Sequence, residues 1–247
     1  MRILPNDDNP HLTIVIPAYN EESRIAASLE KIAEYLNAKT YTYETIVFDD
    51  GSRDGTLKLC RAFASAHPWL KVIHCETNHG KGSAVREGVL SAVGDYVLIC
   101  DADLATPIEE LDDFWRFIED GADIVIASRP LKASHLVKRQ PIYREFAGRA
   151  FNLAVQAMAV RGIHDTQCGF KLFRKEAAQR IFTLCRLDGW GFDIEALHIA
   201  QKLGFRIKEA PVHWYHRPGS KVNLLRDGAC MLIDLFKIRF RHEVNRQ

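Results

Sequence analysis

Short apolar segments alternate with helical patterns through the first half of this sequence, and this alternation constrains the fold more than any other feature. Five segments of strand length are almost entirely apolar, namely 12–16, 45–48, 72–74, 96–100 and 124–127. Near-continuous apolar runs are typical of parallel strands covered on both faces. Between them, apolar residues recur at intervals of three and four, as at Ile25, Leu29, Ile32 and Leu36, which predicts helices. The pattern predicts an α/β fold with a Rossmann-like, mostly parallel sheet flanked by helices.

The composition and the charge distribution narrow the class of protein. Of 247 residues, 47% are hydrophobic and 26% are charged, which excludes a disordered chain, a collagen-like repeat and a disulfide-stapled miniature fold. Residues 1–128 contain 11 basic and 22 acidic residues, whereas residues 129–247 contain 22 and 10, so the halves carry net charges of −11 and +12. This asymmetry indicates an acidic side for a metal or nucleotide and a basic side for a phosphate or a membrane.

The cysteines and the apolar segments bear on the compartment. The six cysteines form no CxxC pair, which argues against a zinc site or a disulfide framework and favours a reducing compartment such as the cytosol. The first ten residues lack the apolar core of a secretory signal. The charge-free stretch 150–160 is shorter than the roughly 20 residues that cross a bilayer. We therefore expect no membrane span.

Polar residues follow the predicted strands, and in parallel sheets such ends meet at one edge, where ligands bind. Asp101 and Asp103 follow the fourth apolar run. Side chains at i and i+2 of an extended segment point the same way, so the two carboxylates can hold one divalent cation. Mg²⁺ prefers one or two carboxylates together with substrate phosphates. A metal site is the favoured interpretation, and a solvated turn is the alternative.

Two further strand ends carry weaker signals. Asp49 and Asp50 precede Gly51-Ser52, and one of these carboxylates could accept hydrogen bonds from a base or a ribose. After the third strand, Gly80 and Gly82 flank Lys81, and glycines allow the backbone to approach a phosphate closely. A plain turn is the alternative for both segments.

These strand ends, in this order, resemble the family 2 glycosyltransferases, which are inverting nucleotide-sugar enzymes of the GT-A fold. The segments that carry the resemblance are 14–22, 49–52 and 101–103. Four others resemble the branch of that family that glucosylates dolichyl phosphate, namely 78–86, 165–173, 190–195 and 219–221. The resemblance implies one GT-A catalytic domain over residues 1–247, with a nucleotide-sugar half, 1–128, and an acceptor half, 129–247.

The resemblance and the motifs together assign candidate site residues. The nucleotide-sugar site comprises Pro17, Ala18, Tyr19, Glu21, Asp49, Asp50, Gly80 and Lys81. The candidate catalytic residues are Asp101 and Asp103, which would hold Mg²⁺ or Mn²⁺, with Arg129 and Asp165. The acceptor phosphate would meet Arg149, Gln167, Lys171, Ser220 and Lys221.

The donor is expected to be UDP-glucose. Related mannosyltransferases carry Gln two residues after the metal motif, where this chain has Ala105 followed by Thr106. This difference argues against GDP-mannose.

The acceptor is expected to be a polyprenyl or dolichyl phosphate. A phosphate monoester, whose second pKa is about 6, is already anionic at neutral pH and needs cations rather than a general base. A hydroxyl acceptor is the alternative, and it would require Asp165, Asp193 or Glu195 as the base. A remoter alternative is a non-catalytic module that senses a metal or a phosphate.

Two C-terminal segments are amphipathic, and they suggest contact with a membrane. On a helical wheel, residues 222–241 have polar groups on one side and an apolar arc wider than a core-facing stripe, and residues 141–160 are similar. Such helices can lie in the membrane interface, or they can be buried against a second subunit. We expect a cytoplasmic protein, peripheral on the cytoplasmic face of a membrane, with a membrane partner subunit or a homo-oligomer as further possibilities and no nucleic-acid partner.

Overall fold

A computed structural model describes residues 9–138, 142–217 and 226–241 of the chain. The strands in these ranges are β1 (Leu12–Ala18), β2 (Tyr43–Asp50), β3 (Leu70–Cys75), β4 (Tyr96–Cys100), β5 (Ile124–Ala127), β6 (His135–Lys138), β7 (Phe170–Arg174), β8 (Ile207–Ala210) and β9 (His213–Tyr215). The helices are α1 (Ile25–Asn37), α2 (Thr56–Ala66), α3 (Lys81–Leu90), α4 (Leu111–Glu119), α5 (Ile142–Met158), α6 (Lys175–Leu184), α7 (Phe192–Lys202) and α8 (Arg226–Arg241). All five strands predicted from apolar runs are confirmed.

The central sheet has seven strands in the order β3-β2-β1-β4-β7-β5-β8. β7 runs antiparallel to both of its neighbours, β4 and β5, while the other pairs are parallel. An antiparallel strand enters the sheet from the edge where its parallel neighbours end. The loop before β7 is therefore brought to the carboxyl ends of the parallel strands.

The sheet is covered by helices on both faces because side chains alternate along each strand. On β1, Ile14 and Ile16 pack in the cluster that contains the buried faces of α1 and α4. Val15, between them, packs in the opposite cluster with residues of α3, α6, α7 and α8. This two-sided burial accounts for the uninterrupted apolar character of the strands.

Strands from the second half of the chain complete the sheet of the first half. β7 lies between β4 and β5, and β8 pairs in parallel with β5. β6 and β9 form a separate two-stranded parallel sheet. The acidic half 1–128 and the basic half 129–247 thus share one hydrogen-bonded sheet. The single-domain organisation over 1–247 stays a prediction.

The amphipathic C-terminal segments form α5 and α8, which pack against each other. Within the described ranges, no helix is both long enough and apolar enough to cross a bilayer.

Candidate active site

The loops after β1 and β2 are tied together at the carboxyl edge of the sheet. Pro17 and Ala18 end β1, and Ala18 lies beside Asp49 of β2. Past the strands, Asn20 accepts a hydrogen bond from the Arg53 backbone and donates its own N–H to Ser52 Oγ, at 2.8 Å each. The predicted nucleotide residues Tyr19 and Glu21 flank this connection. The first two strand ends therefore form one wall of the site.

The carboxylate of Asp50 organises the loop after β3. It is 2% exposed, and it accepts hydrogen bonds from Asn78 Nδ2 at 2.7 Å, the His79 N–H at 3.0 Å and the Gly80 N–H at 2.8 Å. Three donors fill much of its hydrogen-bonding capacity. The carboxylate is therefore engaged mainly with the protein itself. The predicted contact between Asp50 and a base or ribose stays a prediction.

Asp49 is fully buried beside Asp50. Its Oδ2 lies 2.7 Å from His74 Nδ1, and its Oδ1 has no hydrogen-bond partner among the described residues. A buried carboxylate oxygen without a partner is uncommon. Asp49 thus keeps unused capacity to accept a hydrogen bond.

The glycines around Lys81 allow the protein's own backbone to approach closely. A Cβ on Gly80, whose φ is +110°, would lie 2.4 Å from the Asp188 carbonyl oxygen, and one on Gly82 would lie 2.3 Å from the Leu187 carbonyl oxygen. The Gly82 N–H donates to the Asp188 carbonyl at 2.7 Å. The first turn of α3 is therefore partly capped by the 187–191 loop, and the predicted contact between Gly80 and a nucleotide-sugar stays a prediction.

Asp101 and Asp103 lie at the end of β4 with their carboxylates 33% and 26% exposed. Asp101 Oδ1 lies 2.5 Å from Lys81 Nζ, and Asp103 Oδ2 lies 3.6 Å from Arg24 Nη1. Burial and the neighbouring negative charge of Asp101 raise the pKa of Asp103. Burial opposes the charge of Lys81, but the attraction of Asp101 prevails and raises the pKa of Lys81 to about 12. The site is thus a small cluster of alternating charges.

Gly169, just before β7, forms the back of this cluster. A Cβ at this position would lie 1.9 Å from Asp101 Oδ2, so the carboxylate rests where any other side chain would begin. A small pocket opens in front, and it is lined by Asp101, Ala105, Thr106, Gly169, Phe170 and Trp214. The antiparallel entry of β7 brings Gly169 here.

The donor set fits a hard divalent cation that is shared with a substrate. Two partly exposed carboxylates offer oxygen ligands, which Mg²⁺ and Mn²⁺ prefer. Among the described residues, no cluster of three or more His, Cys, Asp or Glu side chains could hold a metal by itself. The remaining ligands would have to come from substrate phosphates and water.

Arg129 and Asp165 form a two-pronged ion pair between the end of β5 and the loop before β7. Arg129 Nε donates to Asp165 Oδ2 at 2.6 Å and Nη2 donates to Oδ1 at 2.9 Å. Burial opposes the charge of Asp165, but Arg129 prevails and lowers the pKa of this carboxyl group. The guanidinium carbon lies 5.4 Å from the centre of the ring of Trp214, which lines the pocket. The positive charge of Arg129 also interacts with the carboxylate of Asp101, a candidate metal ligand.

Lys171 is buried inside the protein. Its side chain is 2% exposed, and its ammonium donates to the Cys168 carbonyl at 2.6 Å and to Asp193 Oδ1 at 2.5 Å. The charge of Lys171 is thus committed to these partners, so the geometry gives no support to its predicted contact with the acceptor phosphate. Its observed effect is to tie the loop that ends at Gly169 to α7.

The structure describes the other four predicted acceptor residues to different extents. Gln167 Nε2 lies 3.6 Å from Met231 Sδ and so links the loop before β7 to α8. Arg149 lies on α5, but its side chain is outside the described part of the chain. Ser220 and Lys221 lie outside the described residues altogether. The acceptor contacts of these four residues stay predictions.

Three residues of the site were missed by the sequence analysis. Arg24 precedes α1 and reaches Asp103, Gly169 supports Asp101, and Trp214 of β9 lines the pocket. Arg24 lies two positions after Glu22, and this closeness to a motif of the first strand end could have indicated it. Trp214 had no local signal, since only the sheet topology brings β9 to this edge.

Solved structures of sugar-transferring enzymes have the same fold. The mannosyltransferase PcManGT from Pyrobaculum calidifontis, in complex with GDP-Man and Mn²⁺, aligns with a TM-score of 0.62 at 24% identity over 94% of this chain and 65% of its own. The glucosyl-3-phosphoglycerate synthase from Mycobacterium tuberculosis, in complex with Mn²⁺, UDP and glucosyl-3-phosphoglycerate, aligns with a TM-score of 0.66 at 21% identity over 93% of this chain and 80% of its own. The fold is therefore the GT-A fold of glycosyltransferases.

Sequence comparison places the chain within that class. The family described as "Glycosyl transferase family 2" matches residues 13–182, and the chain belongs to this family. A dolichyl-phosphate beta-glucosyltransferase from Dictyostelium discoideum is 38% identical over 95% of this chain and 76% of its own length. The enzyme of the same name from Homo sapiens is 35% identical over 95% of this chain and 77% of its own. The family expected from the motifs is confirmed.

Proposed function

We propose that this enzyme transfers glucose from UDP-glucose to a dolichyl or other polyprenyl phosphate, with inversion, to give a β-linked lipid-phosphate glucose. Relatives that match most of the chain are named dolichyl-phosphate beta-glucosyltransferases, which supports the transfer of glucose to dolichyl phosphate. The UDP donor is supported by the sequence difference at Ala105 and Thr106. A divalent metal, Mg²⁺ or Mn²⁺, is supported by the paired carboxylates Asp101 and Asp103.

One observation carries the proposal. The three acids that could serve as a general base for a hydroxyl acceptor already have partners in the protein. Asp165 is paired with Arg129, and Asp193 is paired with Lys171. Glu195 accepts hydrogen bonds from the backbone N–H groups of Arg186 and Leu187, at 2.9 and 2.8 Å. A general base needs access to the proton that it removes. An acceptor that is already anionic avoids this requirement.

The reaction is a single displacement at the anomeric carbon. An oxygen of the acceptor phosphate attacks the anomeric carbon of glucose from the face opposite UDP, and a new carbon–oxygen bond forms as the bond to the β-phosphate breaks. UDP leaves with the bonding electron pair, and no proton has to be moved. A divalent cation held by Asp101 and Asp103 would supply charge stabilisation for the departing diphosphate.

The residues of the chain position the reactants and balance their charge. Arg129 is oriented by Asp165 and stands beside the metal motif, where it can stabilise the acceptor phosphate or the leaving diphosphate. Lys81 contacts Asp101 and can pair with the diphosphate. Positioned cations of this kind stabilise charge that develops during transfer.

The exposed face of α8 supports a peripheral association with a membrane. Leu232, Ile233, Phe236 and Phe240 are 46–75% exposed, and they lie together on one side of the helix. At about 100° per residue, Lys237 and Arg239 flank this apolar stripe on either side. An apolar stripe bordered by basic side chains is typical of helices that lie in the interface of an anionic membrane. Docking there would bring the lipid phosphate to the enzyme.

The cytoplasmic face is the proposed side of the membrane. All six cysteines are free thiols, which suits a reducing compartment. A membrane partner subunit or a homo-oligomer stays a prediction.

The acceptor can be tested with two lipids that differ in a single group. The enzyme, with Mn²⁺ and labelled UDP-glucose, is given dolichyl phosphate or dolichol of the same chain length in detergent. We expect label in lipid only with dolichyl phosphate, and little transfer when GDP-mannose is the donor. Transfer to dolichol at a comparable rate would contradict the proposal and favour the alternative, an enzyme that uses a hydroxyl acceptor.

A further inference from the structure

The two carboxylates of the metal motif each have a cation of the protein beside them. Lys81 Nζ lies 2.5 Å from Asp101 Oδ1, and Arg24 Nη1 lies 3.6 Å from Asp103 Oδ2. Two adjacent carboxylates repel each other, so these cations stabilise the protein when no metal is bound. A divalent cation at the same oxygens must compete with them.

Lys81 is the closer of the two competitors. The ion pair of Arg24 with Asp103 is longer, and Arg24 also pairs with Glu21. Lys81, in contrast, contacts Asp101 Oδ1 directly. An ammonium and a divalent cation on the same carboxylate oxygen would repel each other strongly.

Lys81 has other favourable partners nearby when a metal ion displaces it from Asp101. Its ammonium lies 5.4 Å from the centre of the Trp190 ring and 5.9 Å from that of Phe192, within the range of cation–π attraction. The charge of Asp193 adds a further attraction for the Lys81 ammonium, although this carboxylate is already paired with Lys171. The side chain is flexible and keeps its base at the first residue of α3. A bound diphosphate would add a stronger anionic partner.

We infer that Lys81 is a placeholder cation that occupies Asp101 until a nucleotide diphosphate draws it away, so that metal and nucleotide bind cooperatively. The inference rests on the proposed function, because it requires a diphosphate donor and a divalent metal. Without nucleotide, Lys81 weakens metal binding. With nucleotide, the ammonium pairs with the diphosphate and leaves Asp101 to the metal. By linkage, the metal must tighten nucleotide binding by the same factor.

The test measures metal binding rather than turnover. Free Mn²⁺ is quantified by its electron paramagnetic resonance signal during titration of the full chain, with and without saturating UDP. For the native enzyme we expect UDP to tighten Mn²⁺ binding by at least about tenfold, within the usual range of coupling between sites. For Lys81→Met we expect Mn²⁺ to bind about tenfold more tightly without UDP, and the gain from UDP to shrink by about the same factor, the remainder coming from diphosphate oxygens that coordinate the metal.

Two further variants separate charge from structure. Lys81→Arg keeps the cation, and we expect it to keep the weak metal binding of the nucleotide-free enzyme. Lys175→Met removes a lysine at the opposite edge of the sheet, where Nζ donates to the Val93 carbonyl, and we expect it to bind Mn²⁺ like the native enzyme. Melting temperatures show whether each variant is folded.

The outcomes distinguish this inference from the proposed function. If the native enzyme binds Mn²⁺ and UDP but Lys81→Met leaves the metal affinity unchanged, the placeholder role is wrong and the proposed function stands. If Lys81→Arg binds Mn²⁺ as tightly as Lys81→Met, the effect does not come from charge and the inference is again overturned. If the native enzyme binds no Mn²⁺ at any UDP concentration, the placeholder role and the proposed metal are both wrong, whereas the transfer of glucose is judged separately by the assay with dolichyl phosphate and dolichol.

Discussion

Gly169 determines where the carboxylate of Asp101 can lie. A Cβ on Gly169 would lie only 1.9 Å from Asp101 Oδ2, which leaves no room for even a methyl group. The reason is steric rather than conformational, since the contact comes from the close approach of β7 to the end of β4. The position of a candidate metal ligand thus depends on a glycine, which has no side chain that could bind a metal or a substrate.

Gly169→Ala is expected to impair the metal site specifically. The added methyl group must displace the Asp101 carboxylate, and a displacement of about 1 Å in a reacting geometry can cost about 10²-fold in rate. We expect kcat to fall by one to two orders of magnitude and Mn²⁺ binding in the presence of UDP to weaken. Steady-state kinetics and the Mn²⁺ titration described above measure these effects.

Gly88→Ala is a matched control, because it adds the same methyl group in the core. Its Cβ would lie 2.5 Å from Val15 Cγ1, which is away from the carboxyl edge of the sheet. Overpacking typically costs about 1–3 kcal/mol of stability. We expect a lower melting temperature and native Mn²⁺ affinity. If Gly169→Ala behaves in the same way, Gly169 only packs.

At the scale of elements, the buried and exposed faces of α8 differ from those that its sequence predicts. The helical wheel grouped Asp234 with the polar side, yet the structure buries Asp234 on the inner face with Met231, Leu235 and Ile238. Lys237 Nζ donates to Asp234 Oδ1 at 2.8 Å, which compensates part of its buried charge. The outer face is left to large apolar residues. The apolar stripe faces outward, where either of the alternatives left open by the sequence, a membrane interface or a second subunit, would cover it.

Replacing Phe236 by Glu tests the membrane role of α8. Phe236 is 56% exposed, so little packing inside the protein is lost. Burial of a large apolar side chain contributes about 1.5–3 kcal/mol, so we expect binding to vesicles of phosphatidylserine and phosphatidylcholine to weaken about tenfold or more. Cosedimentation with the vesicles measures the affinity.

Leu184→Glu provides the control for this prediction. Leu184 is 36% exposed at the end of α6, outside the stripe on α8. We expect it to bind vesicles like the native enzyme, and transfer to a short, water-soluble polyprenyl phosphate to be similar in both variants. Equal vesicle binding by Phe236→Glu and the native enzyme would show that the stripe faces something other than a membrane.

At the scale of the whole molecule, the Arg129–Asp165 pair joins β5 to the loop that leads into β7. Removal of one partner of a buried ion pair leaves an uncompensated charge and costs about 3–5 kcal/mol. Because Arg129 is 28% exposed, solvent compensates part of this charge. We expect Asp165→Asn to lose about 3 kcal/mol at most in the free energy of unfolding at pH 7, measured by urea denaturation.

The pH dependence of this loss has a definite sign. The pKa of Asp165 is lowered in the folded protein from a reference value of 3.8, so its contribution is present above pH 3.8 and is lost as the pH falls through the folded pKa. The difference between the native enzyme and Asp165→Asn should be the same at pH 7 and pH 5 and should narrow below pH 3.8. A difference that does not narrow in acid would contradict the assignment.

The exposed pair of Asp113 and Arg116 serves as the control. Its atoms lie 3.5 Å apart on the surface of α4. Surface pairs of this kind contribute about 0–1 kcal/mol. We expect Asp113→Asn to have little effect at any pH.

The sequence alone determined the parallel core of this protein and the chemistry at its edge. Uninterrupted apolar runs specify strands buried on both faces, and Asp101-Ala102-Asp103 specifies paired carboxylates, because both properties are local and follow from side-chain alternation. Tertiary structure decided which charges meet. β7 enters antiparallel between β4 and β5, which brings Gly169 behind Asp101 and Asp165 to Arg129. Those contacts join residues more than 30 positions apart, and no local pattern encodes such a long-range pairing of strands.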